Sequence, residues 1–322
     1  MELKDRFIGT ILGCAVGDAL GAPFEGLKGS IIRSQENLLG GYRQIPNYPL
    51  GQYTDDTQLT LALAETYIAN KGFKGTDFAR RLAELWAKGE IIGAGLSCTD
   101  AVRNLQKGKP WQESGTEEGR AGNGTAMRAS PVGLWNYDNP EQLKKDAIFQ
   151  SQITHRDSRA KAGACAVAWT VAYNLTHEQI DTQELISGVA EFVQDVDREF
   201  SKYLARLKEW LEKDEQVAIM EISCAGWIEP ARWIDMITPF VVPTVLIALY
   251  NFLRSPEDFS LTLERTLKVG GDTDTTCAIA GAISGSFNGI SAIPEPLLLD
   301  LYQRDLIENT ALRLYQARHQ NL

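Results

Sequence analysis

The sequence has few of the residues that build soft-metal sites or disulfide frameworks. It contains three histidines and five cysteines among 322 residues, and no two cysteines form a Cys-x-x-Cys pair. The cysteine number is odd, and the cysteines are scattered through mostly apolar segments. A structural zinc site and a disulfide scaffold are therefore disfavoured, and we expect reduced thiols in a cytoplasmic protein.

The chain also lacks a long run of lysine and arginine. Its formal net charge at pH 7 is −10, from 42 acidic and 32 basic residues. Because proteins bind the nucleic-acid backbone through clustered lysine and arginine, nonspecific nucleic-acid binding is not expected. An acidic protein can still hold an anionic ligand locally, through backbone N–H groups and metal ions.

Two apolar segments could be mistaken for membrane segments. Residues 7–16 loosely resemble a lipoprotein signal, but Glu2 and Asp5 occupy the place of its basic leader and Asp18 follows closely. Residues 236–253 are nearly long enough to span a bilayer. That segment contains prolines and stands alone, which favours a buried core helix. We therefore predict that the protein has no membrane partner.

Helical periodicity dominates the apolar pattern. Leu59, Leu63 and Tyr67 recur at helical spacing, and comparable repeats occur in several later segments. No convincing alternating strand is present, and no linker rich in proline, glycine or serine divides the chain. The sequence therefore predicts one all-α domain spanning residues 1–322.

Two short acidic clusters carry the clearest chemical pattern. Residues 53–57 read Tyr-Thr-Asp-Asp-Thr and residues 271–276 read Gly-Asp-Thr-Asp-Thr-Thr, each ahead of an apolar helix. A helix N-cap uses one carboxylate, whereas each cluster offers two carboxylates among hydroxyl side chains. Simple capping of the helix stays an alternative explanation for either cluster alone. Four converging carboxylates would need compensating cations. The all-oxygen donors favour Mg²⁺ or Mn²⁺, with Ca²⁺ as an alternative.

Three further features could join this site. Glu25 lies in a glycine-rich turn after the first helix, and residues 122–128 form a glycine-rich loop whose backbone N–H groups can cradle phosphate. The glycine-rich loop begins at the end of residues 107–124, which we predict to be the longest loop. The third feature is His155, which precedes another helix. Each feature has a structural alternative: Glu25 as a surface glutamate, the glycine-rich loop as a tight turn, and His155 as a structural residue at a helix start.

Taken together, five segments resemble the ADP-ribosylglycohydrolase family. Each is weak alone, but all five occur in the family's order with similar spacing, which is specific. The resemblance implies a compact orthogonal helical bundle with a cleft for two Mg²⁺ or Mn²⁺ ions. It also implies hydrolysis of the N- or O-glycosidic bond that joins ADP-ribose to a protein side chain, arginine or serine, or to a small acceptor. The matching segments are residues 17–21 with Glu25, 54–57, 122–128, 154–155 and 270–275.

The resemblance also implies roles for individual residues. Glu25 would approach the reacting ribose, and Glu25, Asp56 and Asp272 form the implied catalytic set that binds or moves protons at the attacking water. The implied substrate-binding residues, which would cradle the diphosphate and contact ADP-ribose, are Gly122, Asn123, Gly124, Thr125, Met127 and His155. The implied metal ligands are Thr54, Asp55, Asp56, Asp272, Asp274 and Thr275.

One segment departs from the family pattern. Arginine-specific members often carry an Asp-Ile-Gly-Asn-Thr-like segment where residues 95–100 here read Gly-Leu-Ser-Cys-Thr-Asp. Arginine therefore stays open as the acceptor, beside serine and small molecules such as O-acetyl-ADP-ribose. Asp100 is a possible substitute from one turn away.

Two other functions stay open at this stage. The chain could be a non-catalytic ADP-ribose-binding or structural relative, or another two-metal hydrolase that acts on a nucleotide. The presence of every expected ligand type favours the enzyme. We expect a monomer whose partner is an ADP-ribose-bearing protein or small molecule.

Overall fold

The computed structural model describes residues 1–227 and 236–320. Within these ranges the chain is helical, and β-structure is limited to isolated single-residue bridges, which confirms the all-α prediction. Buried apolar side chains from the first helix to the last form a contiguous core. The α-helices are α1 Leu3–Gly21, α2 Gly29–Arg33, α3 Asp55–Asn70, α4 Gly75–Lys88, α5 Leu96–Gln106, α6 Trp111–Ser114, α7 Ser130–Trp135, α8 Pro140–Gln152, α9 Ser158–Thr176, α10 Thr182–Val193, α11 Arg198–Ala205, α12 Leu207–Glu212, α13 Glu215–Ser223, α14 Val241–Arg254, α15 Phe259–Val269, α16 Thr273–Asn288, α17 Glu295–Leu299 and α18 Arg304–His319.

A stripe of glycines joins α1 to α16. Glycine occupies every fourth position of α1 from residue 9 to residue 21, on the face that meets α16. A Cβ atom at Gly13 would lie 2.3 Å from the carbonyl oxygen of Gly281, and one at Gly17 would lie 2.0 Å from that of Cys277. The two helices therefore pack antiparallel, backbone against backbone. This packing places the C-terminal end of α1 beside the N-terminal end of α16.

The two segments considered as membrane candidates both lie in the core. In the described chain one helical run, Leu3–Phe24, is long and apolar enough to cross a membrane by length and composition, and 89% of its apolar window is buried within the protein. Helix α14 is buried along most of its length, as predicted for a core helix. Pro243 lies in its first turn, where the missing N–H would have no intrahelical partner.

The helix boundaries test two further predictions. Helix α3 begins at Asp55 and α16 at Thr273, so both acidic clusters do begin helices. The prediction that residues 107–124 form the longest loop is wrong, because α6 interrupts them and residues 34–54 form a longer stretch without helix. Leu38 and Tyr42 are buried, so apolar residues within that longer loop anchor it to the core.

Candidate active site

The two acidic clusters meet where the α1–α16 pair abuts the start of α3. The hydroxyl of Thr275 donates to Asp56 Oδ2 at 3.3 Å, across 219 positions of sequence. The hydroxyl oxygen of Thr54 lies 3.2 Å from the same carboxylate oxygen. One carboxylate oxygen therefore contacts hydroxyl groups of both clusters.

The glycine-rich loop joins the same site through a side chain. Asn123 Nδ2 donates to Asp272 Oδ2 at 2.6 Å and to the Thr244 hydroxyl at 3.1 Å. The backbone N–H of Asn123 donates to Pro239, which fixes the loop against the start of α14. The loop and the second acidic cluster are thus held together before any ligand binds.

Asp18 is the residue whose role sequence reasoning missed. Its buried carboxylate accepts from the backbone N–H and the hydroxyl of Thr54, and from the same two groups of Thr57. Asp18 therefore holds the first turn of α3 in place from α1. The available signal was an aspartate between small residues inside an otherwise apolar helix.

The site brings several carboxyl groups together without a neutralising cation from the described residues. Burial first, and then the neighbouring carboxylates, raises the pKa of Asp55 to about 8, and burial raises the pKa of Asp18 to about 6 despite its hydrogen bonds. The pKa values of Asp56 and Asp274 also lie well above their ordinary range, for the same causes as that of Asp55. In residues 1–227 and 236–320, no lysine, arginine or histidine forms an ion pair with Asp18, Asp55, Asp56, Asp272 or Asp274.

The acidic site also contains a buried carboxylate oxygen without a hydrogen-bond partner. Asp56 Oδ1 is enclosed and has no hydrogen-bond partner, an arrangement that ordinarily costs stability. Among the residues that the structure describes, no group of three or more carboxylate, histidine or cysteine side chains is spaced so that it could hold a metal ion without rearrangement. The donors available are carboxylate and hydroxyl oxygens, which are the ligands that Mg²⁺ and Mn²⁺ prefer. Their chemistry and the orphaned oxygen fit a hard divalent cation.

A cleft opens beside these carboxylates. Its volume is about 960 Å³, within the range of small-molecule sites, and Glu25 and Asp272 form part of its wall. Burial, followed by the charges of Asp272 and Asp18, raises the pKa of Glu25. Other parts of the wall are apolar, including Trp227 and Phe240. The cleft wall thus combines the two carboxylates with the guanidinium groups of Arg120 and Arg159 and with several apolar side chains.

Among the predicted ligand-binding residues, one lines the cleft and three are buried behind it. Gly122 lines the cleft. His155 is only 2% exposed and lies behind it, since a Cβ atom at Gly122 would lie 2.9 Å from His155 Nε2. Thr125 and Met127 are also buried, with the Thr125 hydroxyl bonded to the Ala160 carbonyl oxygen. In this structure these three residues support the loop from behind.

The segment that departs from the family pattern lies at the rim of the cleft. Leu96 is 80% exposed there, next to Ser97. Asp100 forms ion pairs with Arg120 at 2.8 Å and with Arg103 at 3.3 Å. Its carboxylate is therefore already engaged by two guanidinium groups on the protein itself.

Comparison with known proteins shows the family to which the chain belongs. Residues 1–322 match the family model described as ADP-ribosylglycohydrolase. The chain is 29% identical to the mouse ADP-ribosylhydrolase ARH3, covering 90% of this chain and 85% of that protein. It is 28% identical to the ADP-ribosyl-[dinitrogen reductase] glycohydrolase of Rhodospirillum rubrum, covering 93% and 91%.

A solved structure shows the same fold. It is the structure of an ADP-ribosylglycohydrolase-related protein complex, and it superposes with a TM-score of 0.76 at 28% sequence identity. The match covers 98% of this chain and 99% of the solved chain. The helical architecture implied by the sequence resemblance is thereby confirmed.

Proposed function

Because the chain belongs to the ADP-ribosylglycohydrolase family, we propose that it is a metal-dependent hydrolase that releases ADP-ribose from a protein side chain or a small acceptor. Membership in this family and similarity to named hydrolases identify it as an ADP-ribosyl hydrolase. The metal dependence and the acceptor are the parts that the proposal adds.

The convergence of the two acidic clusters carries the proposal. They bring four helix-start aspartates into one region, where one oxygen of Asp56 is buried without a hydrogen-bond partner and no protein cation of the described chain is paired to the four carboxylates. Two divalent ions bound there would polarise a water and hold the ribose hydroxyls. The residues that would hold them are Thr54, Asp55, Asp56, Asp272, Asp274 and Thr275.

The chain's own residues supply positioning and proton transfer. Glu25 lines the cleft together with Asp272, and burial followed by the charges of Asp272 and Asp18 raises its pKa, a direction that favours a proton-exchanging role for this carboxyl group. Asp56 and Asp272 are the other proton-handling candidates. The Asn123–Asp272 hydrogen bond ties the phosphate-cradling loop to the acidic cluster, so that a bound ligand meets both in one orientation.

The acceptor in the proposal is arginine, serine or a small molecule. A guanidinium acceptor is held best by a free carboxylate or an aromatic face. Asp100 does not offer a free carboxylate, and exposed Leu96 favours an uncharged group at the rim. The aromatic rings of Trp227 and Phe240 in the cleft wall could still hold a guanidinium, so arginine stays in the proposal beside serine and small molecules. The proposal also includes a cytoplasmic monomer, and light scattering on a sizing column tests the monomeric state.

The decisive experiment measures ADP-ribose release by chromatography and mass. Arginine-linked, serine-linked and O-acetyl-linked substrates are each incubated with Mg²⁺, with Mn²⁺ and with a chelator, beside the Asp274→Ala variant. Metal-dependent release that the variant loses supports the proposal. Binding without release on all three substrates would favour a non-catalytic relative. Release of AMP or phosphate would instead indicate a nucleotide hydrolase.

A further inference from the structure

A second charge imbalance, of opposite sign, lies behind the glycine-rich loop. The Arg128 guanidinium is completely buried. Its donors reach Gln150 Oε1 at 2.8 Å, the Gln150 carbonyl oxygen at 3.0 Å, the Thr154 hydroxyl at 2.7 Å and the Gly124 carbonyl oxygen at 2.8 Å. Cys98 Sγ accepts a longer contact of 3.9 Å. Every one of these acceptors belongs to an uncharged peptide, amide or hydroxyl group or to a thiol.

No carboxylate neutralises this cation at contact distance. Among the residues with described structure, none forms an ion pair with Arg128. Hydrogen bonds to neutral groups satisfy its donors, but they leave its positive charge in place. Burial lowers the pKa of Arg128, and the charge of Asp55, a carboxylate beyond contact distance, opposes that shift. Because the field of a buried charge is weakly screened, Arg128 maintains a positive potential at the loop whose carbonyl oxygen it contacts.

The field of Arg128 extends to the wall of the cleft. Burial first, and then the charge of Arg128, lowers the pKa of His155 to about 3, and the ring of His155 lies against Gly122. Gly122 in turn lines the cleft. The hydrogen bond to the Gly124 carbonyl also turns the following N–H, that of Thr125, away from the guanidinium, since the two ends of a trans peptide point in opposite directions.

We propose that Arg128 provides the counter-charge for the diphosphate of the bound substrate, acting through the loop 122–125 without contacting the ligand. The inference rests on the proposed function, because it concerns how the same cleft recognises ADP-ribose. Arg128 is accordingly a positioning residue. It pins the loop and supplies a fixed positive potential behind it, so the affinity gain applies to ligands that carry phosphate.

Cys98 allows the charge to be cancelled while Arg128 stays in place. It is buried in contact with the guanidinium and is not part of the acidic cluster. Cys98→Asp places a carboxylate beside Arg128, and Cys98→Asn places a neutral group of nearly the same size there. We expect the aspartate variant to bind ADP-ribose and ADP about tenfold more weakly than the asparagine variant. Adenosine, which has no phosphate, should bind both within about twofold.

Calorimetric titration of the two variants and the wild type gives the comparison, with circular dichroism as the check on folding. Equal ADP-ribose affinity in the two variants, or an equal loss for adenosine, would overturn the role of Arg128. A wild-type protein that binds neither ADP-ribose nor ADP would overturn the proposed function itself.

Substitution of Arg128 gives an independent test that does not depend on Cys98. Arg128→Lys keeps the charge and loses the fork of hydrogen bonds, whereas Arg128→Met loses both. The lysine variant should keep ADP-ribose affinity at least about fivefold higher than the methionine variant, with adenosine affinity the same in both. Equal ADP-ribose affinities would mean that hydrogen-bond geometry, and not charge, explains the residue.

Discussion

Two buried regions of this protein carry uncompensated charge, and they differ in sign. At the starts of α3 and α16, the acidic clusters lack a protein cation in the described chain and contain a carboxylate oxygen without a partner. Behind residues 122–125, Arg128 lacks a carboxylate partner among the described residues. The pair Asp157–Arg159, at 2.7 Å near the same cleft, shows ordinary compensation by contrast. We therefore expect ligand charge at both uncompensated regions: divalent cations at the acidic clusters, and the diphosphate of the substrate at the loop in front of Arg128.

The largest expected effect comes from breaking the acidic region. Asp56→Asn removes one negative charge from the cluster and leaves the shape of the side chain nearly unchanged. We expect ADP-ribose release to fall at least about 100-fold, the size typical of a positioned acid–base group. The rate is measured at saturating Mg²⁺ or Mn²⁺. Asp195→Asn is the control, because Asp195 is an exposed carboxylate that does not line the cleft. If Asp56→Asn released ADP-ribose as fast as this control, Asp56 would not be part of the catalytic site.

The next effect concerns the packing that assembles the acidic region. Gly17→Ala would place a Cβ atom 2.0 Å from the carbonyl oxygen of Cys277, so α1 and α16 must move apart. We expect the free energy of unfolding to fall by about 3 kcal/mol. Chemical denaturation measures it, with Gly95→Ala as the matched control, because a Cβ atom at Gly95 meets nothing within 4 Å. Equal stability of the two variants would show that the glycine stripe is not needed.

Divalent ions should stabilise the protein by binding to the acidic region and not to the region of Arg128. Mn²⁺ or Mg²⁺ at 100 times its dissociation constant should stabilise the folded state by about 2.7 kcal/mol. This stabilisation should raise the melting temperature by roughly 5 °C. Calorimetric scans with metal and with chelator test this directly. Asp56→Asn should reduce the shift, whereas Cys98→Asn should keep it. An unchanged melting temperature would argue against a metal site.

The smallest expected effect is on stability and comes from removing the ion pair between Asp157 and Arg159. Burial opposes ionisation of Asp157, but hydrogen bonds from Arg159 and Gly119 keep its pKa below the ordinary value of 3.8. Its contribution to stability is therefore present above pH 3.8 and is lost as the pH falls through the folded pKa. Asp157→Asn should cost about 1 kcal/mol at pH 7, since Arg159 is partly exposed.

Denaturation at several pH values checks this prediction. The difference between wild type and Asp157→Asn should shrink below pH 3.8, and metal should leave it unchanged at pH 7. A difference that grows with acidification would mean that the sign of the pKa shift is wrong.

The acidic clusters illustrate what could be predicted locally. Asp and Thr at the start of an apolar helix are recognisable as a pattern, and both helices begin where that pattern predicts. The role of Asp18 was not predictable in the same way. Its hydrogen bonds go to Thr54 and Thr57 on another helix, and periodicity carries no information about contacts between helices.

The glycine-rich loop illustrates the opposite difficulty. Its composition indicated a turn that could cradle phosphate, but His155, Thr125 and Met127 could not be assigned to the front or the back of the loop from spacing alone. The long loop over residues 34–54 was missed for a related reason. Its buried Leu38 and Tyr42 anchor an irregular segment, and no periodic pattern records such anchoring.

The sequence by itself determined the helical class, the starts of α3 and α16, and the family resemblance, because these depend on neighbours a few positions apart or on ordered motifs. The tertiary structure decided which charges meet and which stay unpaired. The glycine stripe of α1 lets two backbones touch and so brings together aspartates that are far apart in the sequence. Among the described residues, burial then leaves those carboxylates without a contacting cation and Arg128 without a contacting anion, since charge balance depends on distances between helices and not on the order of residues.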